Sequence, residues 1–321
     1  MLVGLIACKE KQSKLSSTPI NEIVKEIATT NVLMGSAVGV SAQRPEQWDR
    51  YSLLRSKATD KELLDLTNNE NSVVRCYAFQ ALVERNTTDL FPIVLRHLSD
   101  TATFHTMYGC IGDYQKAGDF FLETVIEDIG DAKSYRLNHK QKMTIDSLLL
   151  FQDGNELEAR NKLLSKIEPL TKYYLRIRDI AFRENNKTAI VALAKFKKQQ
   201  DKVLIESLLI DANSQSYGFA AVVNFPDPSF FPTLQQTLKD EATKNNGNSN
   251  QRLQLLYHAI VQYKDQPSRQ LLESILLKVK VMQWVYHADY LHQALKMYPS
   301  SIYDGLLKPV YSVGLTEKSG T

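Results

Sequence analysis

Hydrophobic positions recur at helical spacing along most of the chain. Ile20, Ile23 and Ile27 are separated by three or four positions, as they would be on one face of an α-helix. Residues 34–45 interrupt this spacing with two glycines and a proline, and we interpret them as a small-residue turn or a close helix contact. The pattern therefore predicts a mainly helical chain with essentially no sheet.

The clearest pair of helices is predicted at residues 59–86. Thr59 and Glu62 have the spacing of a capping box, which marks the start of a helix, and residues 68–71 form a polar turn. A second helix follows from Val73. Its small alanine side chains allow a neighbouring helix to approach closely. This segment has the pattern of two antiparallel helices joined by a short turn.

The same segment resembles a HEAT repeat, a pair of antiparallel helices that stacks with its neighbours into a superhelix. The resemblance implies an all-α fold, an α-solenoid of stacked helix pairs with irregular repeats that extends over residues 21–311. The residues that carry the resemblance are Val74, Arg75, Ala78, Ala81 and Leu82.

Weaker signals predict further helices and a buried stripe along them. Each helix of a stacked array buries one apolar face. The further predicted helices are 88–100, 101–112, 188–198, 201–211, 215–224 and 229–240. The predicted core comprises Leu63, Leu66, Val74, Ala78, Leu82, Leu95, Leu98, Leu204, Leu208, Leu255, Leu271 and Leu306.

The N-terminal residues are apolar or small and then become polar at residue 9. They resemble a bacterial lipobox, the signal at which a lipoprotein precursor is cut before a cysteine that carries diacylglycerol. The matching residues are Leu5, Ile6, Ala7 and Cys8. The resemblance implies lipidation of Cys8 and a location in the bacterial cell envelope, on the periplasmic side or at the cell surface. The alternative is an N-terminal strand or helix turn that happens to end in cysteine.

These observations divide the chain into four parts. We predict that residues 1–7 are the remnant of a signal peptide and that residues 8–20 are the lipid anchor and a polar tether. We predict a HEAT-like helical domain at residues 21–311 and a flexible tail at residues 312–321.

Composition excludes several classes of protein. The chain has 321 residues, with 39 Lys and Arg against 36 Asp and Glu, a net charge of +3. This balance is unlike that of a dedicated nucleic-acid binder, so we predict no nucleic-acid partner. Only 13 glycines and 10 prolines are present, too few for the many turns of an all-β sandwich. No apolar run reaches the length of a membrane-spanning helix.

Histidine and acidic residues lie closest together at His287, Asp289 and His292. The two histidines are five positions apart and therefore diverge around a helix, whereas two ligands on one face are separated by three or four positions. Asp289 and His292 do share a face, but two ligands do not make a zinc site. We interpret the three as the surface of an amphipathic helix and predict no metal and no cofactor.

A second group of candidate catalytic residues lies near Cys110 in the sequence. Asp100, His105 and Asp113 are near it in sequence, and a Cys–His pair can act as a nucleophile and its base. The alternative is a polar turn at Asp100 and a cysteine packed as a small apolar residue, which we favour. No phosphate-binding loop or catalytic motif accompanies these residues, so we predict no catalytic residues and no enzyme.

Two basic segments also have structural interpretations. Tyr173 and Tyr174 lie beside Arg176 and Arg178, a mixture that could stack on nucleic-acid bases. We interpret it as a helix whose tyrosines pack and whose arginines extend to solvent. The lysines at 195–198 would suit the negative end of a helix.

The remaining cysteines, Cys76 and Cys110, are 34 residues apart, which is about one repeat. Equivalent positions on neighbouring helices can lie close together, but a disulfide needs Cα atoms within roughly 7 Å. We predict two reduced and buried thiols, with a disulfide as the alternative.

The features together predict a lipid-anchored, non-enzymatic protein-binding module with an unidentified protein partner. Its role would be that of an assembly scaffold or of an immunity protein that neutralises a toxin. Two alternatives are an envelope enzyme whose site is assembled from separate helices and a structural spacer without a groove.

Overall fold

A computed structural model describes residues 18–126, 134–243, 251–279 and 281–306, with the backbone alone at 281–283. The predicted lipidation site at Cys8 and the predicted tail at 312–321 lie outside the described residues. The chain divides into two compact units, Met1–Leu163 and Leu164–Thr321. The predicted dominance of helix is confirmed over the described residues, and the predicted lack of a sheet is wrong.

The first unit contains a small sheet among helices. Its helices are α1 Ile20–Thr30, α2 Glu46–Lys57, α3 Asp60–Leu66, α4 Ser72–Arg85, α5 Phe91–Arg96, α6 Ala117–Ile126 and α7 His139–Phe151, and it includes the start of α8 Glu158–Lys166. Its strands are β1 Val32–Val38, β2 Thr103–Gly109 and β3 Ile111–Lys116.

The predicted helix pair at 59–86 is confirmed as α3 and α4, together with the capping box that begins α3. The Thr59 hydroxyl accepts a hydrogen bond from the Glu62 amide at 3.2 Å, and the Glu62 carboxylate accepts one from the Thr59 amide at 2.8 Å. Asn71 caps α4 by accepting from the Val74 amide at 3.1 Å. Local side chains therefore fix where both helices begin.

The three strands form a mixed sheet in the order β1–β2–β3. β1 is parallel to β2, and β2 is antiparallel to β3. The prediction of a turn at 34–45 is therefore wrong for residues 34–38, which belong to β1, although a turn does follow at 39–42. The prediction of a helix at 101–112 is wrong. Residues 103–108 are mainly β-branched or aromatic, and burial alternates along them, since Phe104 and Thr106 are buried between more exposed neighbours. This period of two, rather than the helical period, decides the local structure.

A tight turn joins β2 to β3. Its two residues are Gly109 and Cys110, with Gly109 at a φ of +57°. A glycine first in a two-residue hairpin turn adopts this conformation without the steric cost that a side chain brings. The turn places Cys110 at the exposed tip of the hairpin, so the prediction that it is buried is wrong, whereas Cys76 is buried in α4 as predicted. Neither cysteine is in a disulfide.

The second unit is helical over its described residues. Its helices are α9 Thr171–Arg183, α10 Lys187–Ala194, α11 Lys202–Ile210, α12 Gln215–Asn224, α13 Phe231–Thr243, α14 Gln251–Ile260, α15 Gln266–Lys278 and α16 Val281–Met297, with three short 3-10 turns. The predicted helices at 188–198, 201–211, 215–224 and 229–240 are confirmed as α10 to α13, to within a few residues at their ends.

Most of the predicted core is buried, and the rest is partly exposed. The buried positions are Leu63, Val74, Ala78, Leu82, Leu98, Leu208, Leu271 and Leu306. The partly exposed ones are Leu66, Leu95, Leu204 and Leu255.

Gly118 in α6 allows a close approach of the chain, and its replacement tests this packing. A Cβ atom at Gly118 would lie 2.6 Å from the main-chain oxygen of His97 and 2.9 Å from Leu157. We expect Gly118→Ala to destabilise the protein by about 1–3 kcal/mol, measured by urea unfolding. At an open helix position the same change stabilises by about 1 kcal/mol, so unchanged or increased stability would contradict this packing.

Candidate functional site

The residues considered around Cys110 as a nucleophile and its base are not brought together. Cys110 lies at the hairpin turn, whereas His105 lies earlier on β2 and its ring contacts the ring of Tyr114, with centroids 5.1 Å apart. About 13 Å of strand separates His105 from the turn. Asp113 accepts a hydrogen bond from the Tyr114 amide. The cysteine and histidine are therefore not positioned as nucleophile and base.

Asp100 instead belongs to a largely buried network that joins α4 to the turn before β2. Its carboxylate accepts two hydrogen bonds from the Arg75 guanidinium, both at 3.0 Å, and contacts His97 Nδ1 at 3.0 Å. Arg75 also donates to the carbonyl oxygens of Asn69 and Glu70. Burial opposes ionisation of Asp100, but the bonds from His97 and Arg75 outweigh it and hold the pKa of Asp100 below its usual value.

The interpretation of His287, Asp289 and His292 as a helix surface is wrong for His287, which is only 3% exposed, whereas Asp289 and His292 are exposed. The Nδ1 atom of His287 is hydrogen-bonded to the Tyr257 hydroxyl at 2.7 Å, and burial lowers the pKa of His287. Asp289 accepts from the Gln293 amide group at 2.8 Å. Across the residues that the structure describes, no three His, Cys, Asp or Glu side chains are grouped to hold a metal.

The aromatic and basic residues of α9 are engaged in contacts within the second unit. The Tyr174 hydroxyl donates to the Asp201 carboxylate at 2.9 Å, and Arg178 donates to the same carboxylate at 3.1 Å. Lys195 donates to the carbonyl oxygens of Ser165 and Ile167. Tyr174 is packed as interpreted, but the interpretation that the arginines extend to solvent is wrong for Arg176, whose side chain is only 11% exposed and pairs with Asp179.

A half-open groove of about 550 Å³ lies in the first unit, between the β2–β3 hairpin and two helices. One wall is formed by side chains of the hairpin, and the other by α6 and the start of α8. The hairpin contributes Thr106, Tyr108, Ile111, Asp113, Tyr114, Gln115 and Lys116, and the helical wall contributes Asp119, Glu123, Glu156, Glu158 and Lys162. Its volume lies within the range of known ligand-binding clefts.

The hairpin exposes three large apolar side chains beside this groove. Ile111 and Tyr114 are each 73% exposed, and Tyr108 is 48% exposed. The Tyr108 ring lies against Gly35 of β1, where a Cβ atom would be only 2.8 Å from the ring. The absence of a side chain at Gly35 therefore lets Tyr108 lie against β1.

The groove is acidic. Five carboxyl groups line it against two lysines, a formal balance of −3. Glu123 accepts a hydrogen bond from Gln115, which ties the two walls together, and another from Lys162 within the helical wall. Asp119 caps α8 by accepting from the amides of Glu158 and Ala159 at 3.0 and 2.8 Å, and burial raises the pKa of Asp119 in spite of these bonds.

The two edges of the sheet differ in how far their main-chain hydrogen-bonding groups are already bonded. At the β1 edge, the Tyr77 hydroxyl accepts from the Met34 amide at 2.8 Å and donates to the Met34 carbonyl at 2.9 Å. Gln47 donates to the Val32 carbonyl at 3.0 Å. Side chains therefore occupy main-chain groups of Val32 and Met34 at the β1 edge. At the other edge, β3 pairs with β2 alone among the residues that the structure describes, and it borders the groove.

The groove was not among the sites predicted from the sequence. The alternation at 103–108 and the glycine at 109 would have indicated a hairpin, but the acidic residues come from three separate segments, which only the fold brings together. No described helix is long and apolar enough to cross a membrane. No protein family, curated protein or solved structure matches this chain.

Proposed function

We propose that this protein is a non-enzymatic, protein-binding module that receives its partner in the groove beside β3. The observation that carries this proposal is the exposed apolar pair Tyr108 and Ile111, which share one face of the hairpin at the edge of a half-open cleft, while Tyr114 is exposed on the other face of β3. An exposed apolar patch bordered by polar residues commonly marks a site of protein interaction. The same proposal covers a scaffold and an immunity protein.

We further propose that the helices form a HEAT-like solenoid. In the second unit, each odd-numbered helix from α9 to α15 contacts the helix that follows it. The even-numbered helices also contact one another in sequence, α10 with α12, α12 with α14 and α14 with α16. Helix pairs joined through one continuous row of helices are the arrangement typical of such repeats.

The proposed binding site is tested by capture of proteins from envelope extracts. We expect the intact protein to retain a specific partner, identified by mass spectrometry, and the double variant Ile111→Ser, Tyr114→Ser to retain at least tenfold less. The matched control is Leu175→Ser, Phe182→Ser in the second unit, because these residues are similarly exposed, at 76% and 70%. Equal capture by the two double variants would contradict the proposed site, as would the lack of any partner specific to the unaltered protein.

We also propose that Cys8 anchors the protein to the membrane through lipid. The support is the match of residues 5–8 to a lipobox and the polar segment that follows. We expect Cys8→Ser to abolish acyl labelling and to move the protein from the membrane fraction to the soluble fraction. A Cys8→Ser protein that stays in the membrane fraction would overturn the proposed anchor.

A further inference from the structure

We propose that the occupant of the groove is an extended peptide segment rich in lysine or arginine, which pairs with β3 as a fourth strand of the sheet. This inference rests on the proposed function, because it names the partner chemistry of the same site. It is carried by the register of β3, by the difference between the two edges of the sheet, and by the charge of the groove.

The register shows which main-chain groups of β3 face outward. Tyr108 and Ile111 flank the two-residue turn, and such flanking residues bond to each other. Residues 111, 113 and 115 therefore direct their main-chain groups to β2. The bond from the Ala117 amide to the Ala102 carbonyl, at 2.9 Å, agrees with this alternation. The main-chain groups of Gly112, Tyr114 and Lys116 consequently point toward the open edge.

An open edge with exposed side chains accepts an added strand through these groups. Gly112 and Tyr114 are exposed, and Lys116 is partly exposed. The Tyr114 amide is bonded to the carboxylate of its neighbour Asp113 at 2.7 Å. A carbonyl of an added strand would replace that carboxylate and leave Asp113 available to a cationic side chain. The β1 edge is less open, because Tyr77 and Gln47 already occupy main-chain groups of Met34 and Val32.

The charge of the groove selects the side chains of the added strand. The accessible carboxylates Asp113, Glu123, Glu156 and Glu158 outnumber the two lysines of the lining. Alternate side chains of a strand point to the same face, so a peptide with a cation at every second position would direct all of its cations to one side. Lys162 is 53% exposed beside Glu123, and an incoming cation can replace it there.

The test uses the full-length protein and a labelled, terminally blocked peptide of four Val-Lys repeats, with binding followed by fluorescence anisotropy. We expect at least tenfold weaker binding of the matched peptide of four Val-Glu repeats. We also expect that N-methylation of the peptide along one of its two edges weakens binding at least tenfold, while methylation along the other edge has little effect. Strand pairing requires this asymmetry, because only one edge faces β3.

Variants of the protein locate the paired edge. Tyr114→Pro removes an amide that points away from β2, a position at which an edge strand tolerates proline. We expect it to weaken binding at least tenfold relative to Tyr114→Ala, which removes the same side chain but keeps the amide. Glu156→Lys should weaken binding several-fold, whereas Glu22→Lys, an equal change of charge at an exposed position outside the groove, should not.

The outcomes separate this inference from the proposed function. If the lysine peptide fails to bind, or binds equally well when either edge is methylated, the strand-pairing inference is wrong. The proposed binding site still stands in that case if the Ile111, Tyr114 double variant loses the partner captured from envelope extracts. If that variant retains the partner, the proposed function is wrong as well.

Discussion

Replacing Arg75 with alanine is expected to destabilise the protein by about 3–5 kcal/mol. The Arg75 and Asp100 side chains are only 10% and 14% exposed, and the guanidinium bonds to both carboxylate oxygens. Removal of one partner leaves the Asp100 charge in a poorly solvated position, and the loss is therefore much greater than for a surface pair. Urea unfolding at pH 7 measures this free energy.

Arg44→Ala is the control for this prediction. Arg44 pairs with Asp49, but the two side chains are 56% and 41% exposed. Surface pairs of this kind contribute less than about 1 kcal/mol. Equal losses in the Arg75 and Arg44 variants would show that burial of the Arg75 pair does not have the energetic role assigned to it.

The same network makes stability depend on pH. The pKa of Asp100 is lower in the folded protein than its ordinary value, which is about 3.9. Its ionised form therefore stabilises the fold at pH values above 3.9, and this contribution is lost as the pH falls through the folded pKa. In Asp100→Asn that part of the pH dependence should be absent, and an unchanged acid transition would contradict the assignment.

Replacing Tyr77 with alanine is expected to cost a similar amount, about 3–5 kcal/mol. Tyr77 is fully buried, and its ring stacks on Tyr51 with centroids 4.8 Å apart. Its hydroxyl also bonds to both main-chain groups of Met34. The substitution thus removes a large core side chain and the link between α4 and β1, and calorimetry or urea unfolding measures the loss.

Tyr77→Phe separates the two contributions of this side chain. It keeps the ring and removes only the hydroxyl, so we expect a loss of about 1–3 kcal/mol. Tyr114→Phe is the matched control, because Tyr114 is 73% exposed, and it should change stability by less than about 0.5 kcal/mol. A Tyr77→Phe protein as stable as this control would show that the hydroxyl does not hold the β1 edge.

The sequence indicates the helices well because their signals are local. Thr59 and Glu62 are three positions apart, and the bonds between them are those of the capping box that this spacing predicts. Asn71 and Val74 define the start of α4 in the same way. Such contacts depend on a few consecutive residues and not on the rest of the fold.

The sheet is harder to predict because β1 pairs with a strand that lies about 70 residues further along the chain. Val32 is opposite His105, and Leu33 is opposite Thr106. Nothing within residues 34–45 alone records this pairing, and the glycines there favour interpretation as a turn. Long-range pairing of this kind overrides local preference. The prediction for Cys110 is wrong for the same reason, since it assumes a helix where a hairpin forms.

The groove could not be predicted from any single segment. Asp113, Glu123 and Glu156 are more than 30 residues apart at the extremes. They share a cleft only because α6 follows β3 directly and because Asp119 of α6 caps the start of α8. Their chemistry alone would suggest His105 and Cys110 as a catalytic pair. The His105 ring instead contacts Tyr114, and Cys110 is exposed at the hairpin turn.

Residue-resolved amide hydrogen exchange, with and without the peptide of four Val-Lys repeats, tests the central claim most directly. If the groove beside β3 binds its partner by strand pairing, the amides of Gly112, Tyr114 and Lys116 should exchange at least tenfold more slowly in the complex, while residues 40–43, which follow β1 and do not line the groove, remain unchanged. Unaltered exchange at these three amides when the peptide is bound, or protection confined to other residues, would contradict it.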